Sequence, residues 1–384
     1  MSDKQRIPVE TTPPGEFIRD ELETRGWTQA ELAFILGRPQ PTVNAIIAGR
    51  KAITPETAKG LANAFGTSAD FWLNLESAYR LSRVKQTGDD AAVARRAFLL
   101  SLAPIKDMVK RQWVSDTEEV GVLEGELKAF FETESLETDP QLCAAARMTS
   151  NYAGLTVAQR AWMCRAKKLA RAVSAAPFRQ DVFVRGLNDL RKLISSDHDV
   201  RRVPRFLADL GVRLVLIEHL PKTRIDGATI WLDKNTPAVA LSLRFDRIDG
   251  FWFTLCHELS HVRHGDGKGS DAAGGWRLDD GLIGEPVDPN KPDFEMRADR
   301  EAAEFLVPKQ EIEKFIVRVR PLYSKTKIVH FANRIKVHPG IIVGQLQRRQ
   351  EITYAQNREF LTKVRESLMP ATLSDGWGFT PPLR

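Results

Sequence analysis

Apolar residues recur at helical spacing over the first 85 residues and are interrupted by short polar turns. Thr28, followed three residues later by Glu31, has the pattern of a capping box that starts a helix, and Gly37 is of the type that commonly ends one. The pattern predicts five short helices, which begin near residues 14, 29, 40, 55 and 69. The polar segment 84–90 is the expected linker. The first 85 residues are therefore predicted to form one compact helical domain.

The periodicity changes further along the chain. Residues 86–205 keep helical spacing, with a break expected at 132–140, and contain no recognisable chemical motif. Aliphatic runs at 212–217, 228–232 and 238–242 are bounded by Gly, Pro or Asn and predict β-strands. Helical spacing returns at Phe251, and a long loop at 265–293 precedes another helix at 294–306. A helical region with a disordered tail after Met369 completes the pattern.

The predicted fold class is α+β and predominantly helical. The expected domains are a helical bundle at 1–85, a helical middle region at 86–205, a small α+β domain at 206–310 and a helical C-terminal region at 311–384.

Composition limits the class of protein. The 384 residues are 42% hydrophobic and 28% charged, as in ordinary globular proteins. No apolar run is long enough to cross a membrane, and the N-terminus has no apolar signal-peptide core. The cysteines Cys143, Cys164 and Cys256 are too few and too widely spaced for a disulfide framework or a cysteine-rich zinc site. The sequence therefore predicts a cytoplasmic protein with no membrane partner.

The formal net charge of +6 is mild, but the basic residues are unevenly distributed. The window 37–51 has three basic residues and no acid. The window 309–350 has ten Lys or Arg and only two acids. The second window is interpreted as a solvated helical face.

The first basic window lies in a helix-turn-helix pattern. One predicted helix runs from Thr28 to Gly37 and the next from about Gln40 to Ile47, and apolar positions face inward in both. Polar side chains of the second helix suit base edges, and nearby basic side chains suit phosphates. The candidate DNA-contacting residues are Gln29, Arg38, Gln40, Thr42, Asn44, Arg50 and Lys51. A helical bundle without a DNA role is the alternative.

The stretch Pro14–Arg83 resembles the XRE-type domain of HigA-like antitoxins, including Ile53-Thr-Pro-Glu56 and the segment Thr67–Leu75. This resemblance implies an operator in double-stranded DNA as the partner, binding as a homodimer, and a toxin as a further partner.

The sequence His257-Glu258-Leu-Ser-His261 carries the clearest chemistry. Side chains four residues apart share one face of a helix, so both imidazoles can reach the same ion. Glu258 lies beside that face and can take a proton from a water molecule there. The pattern predicts a Zn²⁺ site with Glu258 as general base. Two surface histidines on an ordinary helix are the alternative.

A catalytic zinc site needs a third protein ligand. Glu295 is the best candidate, because Asp299 lies four residues later and can accept the free ring N–H of a ligand histidine. Glu304 and Glu285 are reserve ligands. Asp266 is close in sequence, but the residues around it do not fit the metzincin pattern.

His264 and Cys256 allow two interpretations each. His264 could face the site and donate a hydrogen bond to an oxyanion, or it could complement the dipole at the end of its helix. Cys256 is interpreted as a small core residue, with a sulfur ligand as the less favoured role.

Residues from about Val212 to Pro308 resemble the ImmA/IrrE family of bacterial metallopeptidases. The resemblance rests on the run before the HELSH sequence and on the Glu-x-x-Ala-Asp segment that ends at Pro308, which occur in the family's order. Ser260 stands where the family usually has Gly, and Glu301 where it usually has an aromatic residue. The resemblance implies a small gluzincin-like zincin domain that cleaves helix-turn-helix repressors.

The sequence thus favours a DNA-binding transcriptional regulator with a zinc-dependent endopeptidase domain, whose protein substrate is a repressor or another regulatory protein. The alternative is a non-enzymatic antitoxin or repressor whose zincin fold binds a partner or senses metal. An intact Glu258 favours the enzyme, because a pure binding domain needs the ligands but not the base.

Overall fold

The computed structural model describes residues 12–83, 88–137, 155–268, 275–280 and 291–382. The chain divides into two compact units, Met1–Ala94 and Arg95–Arg384. The boundaries expected near residues 205 and 310 lie inside the second unit. Among the described residues, no helix combines the length and apolar character that crossing a membrane requires.

The N-terminal unit is a bundle of short helices. Thr28 and Glu31 form the expected capping box, in which the Glu31 N–H donates to Thr28 Oγ1 at 3.2 Å. The core is built around the fully buried Ile18, Leu32 and Trp72. Its helices are α1 (Pro14–Arg25), α2 (Gln29–Ile35), α3 (Gln40–Ile47), α4 (Pro55–Phe65) and α5 (Ala69–Arg83).

The rest of the chain combines helices with one sheet. The helices are α6 (Gly88–Leu102), α7 (Ile105–Lys110), α8 (Val120–Phe131), α9 (Val157–Ala172), α10 (Gln180–Leu190), α11 (Val203–Asp209), α12 (Ile248–His264), α13 (Asp293–Leu306), α14 (Lys309–Val319), α15 (Lys325–Ile335), α16 (Pro339–Arg348) and α17 (Arg365–Leu368). The strands are β1 (Arg213–Ile217), β2 (Ile225–Trp231), β3 (Pro237–Leu241), β4 (Gly275–Asp280) and β5 (Leu373–Asp375).

The sheet is mixed, with the order β4-β2-β3-β1-β5. β1 pairs in parallel with β3 and β5, whereas β2 is antiparallel to β3 and β4. Because neighbouring strand residues point to opposite faces, Leu214 and Leu216 enter a core with α12, while Val215 and Ile217 enter a core with α9. The sheet is thus packed between α12 and α9, which explains why the middle helical region and the predicted α+β domain belong to one unit.

Two expectations about loops are wrong. Residues 275–280 lie in the predicted loop but form β4, which pairs with β2 although Gly275-Trp-Arg-Leu-Asp-Asp280 lacks β-branched residues. Residues 370–382 of the expected disordered tail are ordered, because β5 pairs with β1 and the buried Asp375 forms an ion pair with Arg165 at 2.6 Å. Parts of the predicted linker (84–87) and of the long loop (269–274 and 281–290) lie outside the described residues, as do the reserve ligand Glu285 and Cys143.

Candidate metal centre and nucleic-acid interface

Two helices of the second unit bring three donor atoms together. His257 and His261 lie one turn apart on α12, and their Nε2 atoms are 3.0 Å apart. Glu295, near the start of α13, places Oε2 3.1 Å from His257 Nε2 and 3.6 Å from His261 Nε2. Both histidines are fully buried, and Glu295 is 5% exposed. The packing of α13 against α12 therefore assembles the three residues that the sequence predicts as ligands.

The outer ring nitrogens are each held by a carboxylate. His257 Nδ1 lies 3.0 Å from Asp299 Oδ1, and His261 Nδ1 lies 2.9 Å from Asp266 Oδ2. A carboxylate can only accept here, so each imidazole carries its proton on Nδ1 and keeps the Nε2 lone pair for the cluster. Asp299 makes the contact with a histidine ring that the sequence predicts for it. Asp266 makes the same contact with the second histidine, which the sequence pattern did not predict.

Both supporting carboxylates remain ionised. Burial acts to raise the pKa of Asp299, but hydrogen bonds from His257 and Lys291 together with the charge of Arg348 lower it to about 2. Burial likewise acts to raise the pKa of Asp266, and hydrogen bonds from His261 and from Arg297 outweigh it and lower the pKa. These cations keep negative charge behind the imidazoles, which strengthens the Nε2 atoms as donors.

Glu258 is fully buried between α12 and β2. Thr229 Oγ1 lies 2.7 Å from Glu258 Oε2 and 3.0 Å from the Glu258 carbonyl oxygen, so its hydroxyl can hold the carboxylate in place. Gly227 provides the space, because a Cβ atom at this position would overlap Glu258 Oε1 and Thr254 Cγ2. Glycine in the interior of a strand is a sign of such a close approach.

The strand β2 faces α12 with every second residue. Gly227 and Thr229 contact Glu258, and Trp231 donates from Nε1 to the Asp266 carbonyl oxygen at 3.0 Å. The residues between them, Ala228 and Ile230, enter the opposite core. One face of one strand thus fixes both the predicted base and the loop that supports His261.

The donor set fits zinc. A tetrahedral zinc with ligand bonds of about 2.0–2.1 Å places neighbouring ligand atoms roughly 3.3–3.4 Å apart. The three separations here, 3.0, 3.1 and 3.6 Å, bracket that value. Two imidazoles and one carboxylate leave one tetrahedral position for water or substrate, as in catalytic rather than structural zinc sites.

His264 does not join this cluster. Its Nε2 lies 2.9 Å from Glu301 Oε1. Ser260 Oγ donates to the other Glu301 oxygen at 2.8 Å. Burial acts to raise the pKa of Glu301, and the hydrogen bonds from Ser260 and His264 outweigh it and lower the pKa. The structure therefore gives the His264 ring a carboxylate partner on α13, and its oxyanion role stays a prediction.

Two further candidates are also placed elsewhere. Glu304 Oε2 accepts a hydrogen bond from the Lys309 N–H at 2.8 Å, so this reserve ligand serves the start of α14. Cys256 is buried in the hydrophobic core, where burial raises the pKa of its thiol, and it is not part of the cluster. It is the small core residue that the sequence favours.

The helix-turn-helix element lies in the N-terminal unit. α2 and α3 are separated by Gly37, which has a left-handed φ of 61°. Leu32, Ala33, Val43 and Ile46 are buried in the core. The inward-facing positions of both helices are therefore correctly predicted.

The candidate DNA-contacting residues differ in accessibility. Gln40, Arg50 and Lys51 are exposed, whereas Gln29, Arg38 and Thr42 are half-buried. Asn44 is also half-buried. Its Oδ1 atom is not accessible to solvent, and it has no hydrogen-bond partner among the described residues. A bidentate contact needs both amide atoms at the base edge. Of the two predicted base-contacting amides, Gln40 is thus the more accessible.

Comparison with known proteins matches the N-terminal unit. Residues 18–72 match the helix-turn-helix family HTH_3. The chain is 30% identical over 82 residues to the uncharacterized HTH-type transcriptional regulator YddM of Escherichia coli K12, covering 21% of this chain and 87% of that protein. It is 36% identical over 74 residues to virulence-associated protein I of Dichelobacter nodosus, covering 19% of this chain and 68% of that protein.

Solved structures of antitoxins resemble the same part of the chain. The Pseudomonas aeruginosa antitoxin HigA with the higBA promoter is 40% identical, with 19% of this chain and 80% of that chain covered and a TM-score of 0.19. A HigA-family addiction module antidote protein from Coxiella burnetii is 39% identical, with the same coverage and TM-score. Through its N-terminal unit, the chain belongs to the XRE-type helix-turn-helix family of transcriptional regulators.

Proposed function

We propose that this chain is a DNA-binding transcriptional regulator that carries a zinc-dependent endopeptidase site, with a regulatory protein such as a helix-turn-helix repressor as its substrate. The observation that carries the proposal is the buried cluster of His257, His261 and Glu295. Glu258 lies on α12 with the two histidines. A structural ion pair would not need two imidazoles whose outer nitrogens are both fixed by carboxylates.

Zn²⁺ would be held by the Nε2 atoms of His257 and His261 and by the Glu295 carboxylate. When bound, it would supply Lewis acidity, which polarises a peptide carbonyl and makes a water molecule more acidic. The residues of the chain do the remaining work. Asp299 and Asp266 hold the imidazoles in the tautomer that presents Nε2.

Glu258 moves the protons. Its carboxylate accepts a proton from the water that attacks the scissile carbonyl carbon, forming the new C–O bond. The same group then returns that proton to the amine nitrogen as the C–N bond breaks, so the two proton transfers balance. The Thr229 hydroxyl donates to Glu258 Oε2 and orients the carboxylate, and Gly227 leaves room for it.

The N-terminal unit supplies the DNA-binding half of the proposal. Gln40 is exposed at the start of α3, where a helix-turn-helix recognition helix presents residues to base edges. Arg50 and Lys51 are exposed after α3 and suit phosphates. We propose binding as a homodimer to a near-palindromic operator, because paired helix-turn-helix units contact half-sites about one DNA turn apart.

A cleavage assay tests the peptidase. Zinc-loaded full-length protein is incubated with repressor proteins and with a peptide digest of a bacterial proteome, and the products are identified by mass spectrometry. Glu258→Gln should lower the cleavage rate by roughly 100- to 10,000-fold, the usual effect of losing a general base, and retain zinc. Glu304→Gln is the matched control, because this α13 carboxylate lies outside the cluster. Equal cleavage by wild type and Glu258→Gln would contradict the mechanism.

The same assay addresses the non-enzymatic alternative. A wild-type protein that binds zinc and DNA yet yields no products from either substrate set would support a metal-sensing repressor or antitoxin. Binding of a co-expressed toxin would then be the next measurement. The resemblance of the N-terminal unit to HigA-like antitoxins implies a toxin as a partner.

A further inference from the structure

A basic groove lies beside the candidate metal centre. It has a volume of about 630 Å³, opens to solvent, and is lined by Lys234, Arg263, His264, Lys268 and Trp231 together with Gln180 and Gly265. We call this set the basic groove. Its lining contains four side chains that can be positively charged and no described carboxylate.

Among the described residues, ion pairs to a carboxylate within 4.0 Å involve only two of these four side chains, His264 and Arg263. Glu301 Oε1 lies 2.9 Å from His264 Nε2, and the other oxygen of Glu301 lies 4.0 Å from Arg263 Nη1. Asp233 accepts from the Asn235 N–H at 2.8 Å, and the charge of Lys268 is close enough to contribute to its lowered pKa. No ion pair joins Lys234 or Lys268 to a carboxylate within the described part of the chain.

The groove is joined to the metal centre through one tryptophan. The Trp231 ring lies 4.9 Å below the Lys268 ammonium group, and its Nε1 donates to the Asp266 carbonyl oxygen. Asp266 holds His261. The floor of the groove therefore belongs to the same rigid set of contacts that fixes a predicted ligand.

The distance from the predicted base follows from the strand. Thr229 contacts Glu258, and Trp231 lies two residues further along β2 on the same face. A strand rises about 3.3 Å per residue, so the groove begins roughly 7 Å beyond the base. An extended polypeptide covers that distance in two to three residues.

We propose that the basic groove binds an acidic side chain of the polypeptide substrate, two to three residues from the scissile bond. This inference rests on the proposed peptidase. Because the groove is open, a free small molecule would keep much of its surface in solvent, whereas a longer ligand that is held elsewhere can place an acidic side chain there. The cations then select aspartate or glutamate over neutral residues at that position.

A binding experiment tests the groove without requiring cleavage. Full-length, zinc-loaded Glu258→Gln protein is titrated into a fluorescein-labelled decapeptide with two central glutamates and into the matched glutamine peptide, and anisotropy is measured. The glutamate peptide should bind about 10-fold more tightly. The double variant Lys234→Glu and Lys268→Glu should lose that preference. Lys314→Glu reverses the charge of an exposed residue on α14 outside the groove, and this variant should retain the glutamate preference.

The outcomes separate this proposal from the peptidase itself. The groove proposal is overturned if the two peptides bind equally or not at all. It is also overturned if the double variant weakens binding of random duplex DNA and leaves binding of the peptides unaffected. In the proteome digest, cleavage sites without acidic enrichment two to three residues away also overturn it and leave the peptidase standing. If the glutamate preference depends on Lys234 and Lys268 but the wild-type protein cleaves no substrate, the result supports acidic-peptide binding by the groove and contradicts the proposed peptidase.

Discussion

Replacing Gly227 by alanine should displace the predicted base without touching a metal ligand. A Cβ atom here would overlap Glu258 Oε1 and lie 2.9 Å from Thr254 Cγ2. The pairing of β2 with β4 shifts register between Ile225 and Gly227, but Gly227 does not have a positive φ, so the effect comes from lack of space and not from a strained φ. The carboxylate must shift to relieve this overlap, and the shift should disturb the hydrogen bond between its Oε2 atom and Thr229.

The magnitude can be worked from these contacts. Overpacking a well-packed core costs about 1–3 kcal/mol. Glycine to alanine at an unhindered position instead stabilises by about 0.5–1 kcal/mol, because the unfolded chain loses freedom. The net expectation for Gly227→Ala is a loss of about 1–2 kcal/mol in the free energy of unfolding. Cleavage should fall by roughly 100-fold or more as the general base moves, while zinc content is unchanged.

Gly125→Ala is the matched control. Gly125 lies within α8, and a Cβ atom there would meet no atom within 4 Å. Urea unfolding followed by tryptophan fluorescence should therefore shift in opposite directions for the two variants, with Gly125→Ala more stable than wild type. The reasoning is refuted if Gly227→Ala is as stable as Gly125→Ala and cleaves at the wild-type rate.

Three other changes test separate parts of the site. Asp299→Asn should weaken zinc binding by about 10- to 100-fold in a competition with a chromogenic chelator, because the outer nitrogen of one histidine loses its carboxylate. A double-mutant cycle of Ser260→Ala and Glu301→Gln should show coupling of about 0.5–1.5 kcal/mol near neutral pH. Since the folded pKa of Glu301 is lowered, this coupling should be present above the ordinary value of 4.5 and disappear as the pH falls through the lowered pKa; a pH-independent coupling would contradict it. Gln40→Ala should cost roughly 1–3 kcal/mol of discrimination at particular bases, whereas Arg50→Ala should weaken all sequences and reduce the salt dependence, which operator footprinting at two salt concentrations can separate.

Local signals were sufficient for the parts of the fold that depend on nearby residues. The capping box at Thr28 and Glu31, the turn at Gly37 and the aliphatic runs of β1 and β3 are all visible within a few residues of sequence. The predicted metal ligands on α12 share a helix face for the same reason. Glu295 could be chosen because its motif also lies on one helix.

Long-range pairing explains what the sequence did not predict. β4 and β5 are short and become strands only by pairing with β2 and β1, so their own composition gives little signal. The residues around Asp266 do not fit the metzincin pattern of a ligand. Its carboxylate instead lies against His261 Nδ1, the ring nitrogen that points away from the cluster. Gly227 lies inside β2 but just before the predicted strand 228–232, so the sequence pattern marks it as a boundary and not as a sign of a close approach to Glu258.

Ser260 and Glu301 show how residues far apart in sequence can form one contact. The sequence presents a hydroxyl on one helix and a carboxylate on another. In the structure, the Ser260 hydroxyl donates to Glu301, and His264 completes the contact. Such a pairing cannot be found from spacing, because α12 and α13 are separated by more than 25 residues of chain.

The zinc content of purified full-length protein tests the central claim most directly. Protein prepared without chelator and supplied with Zn²⁺ should retain about one zinc per chain after desalting, measured by plasma mass spectrometry. Glu258→Gln should retain the same amount, and His261→Ala and Glu295→Ala should each lose it, because two-ligand sites hold zinc poorly. A wild-type protein that retains no zinc, or a His261→Ala variant that retains as much as wild type, would contradict the account.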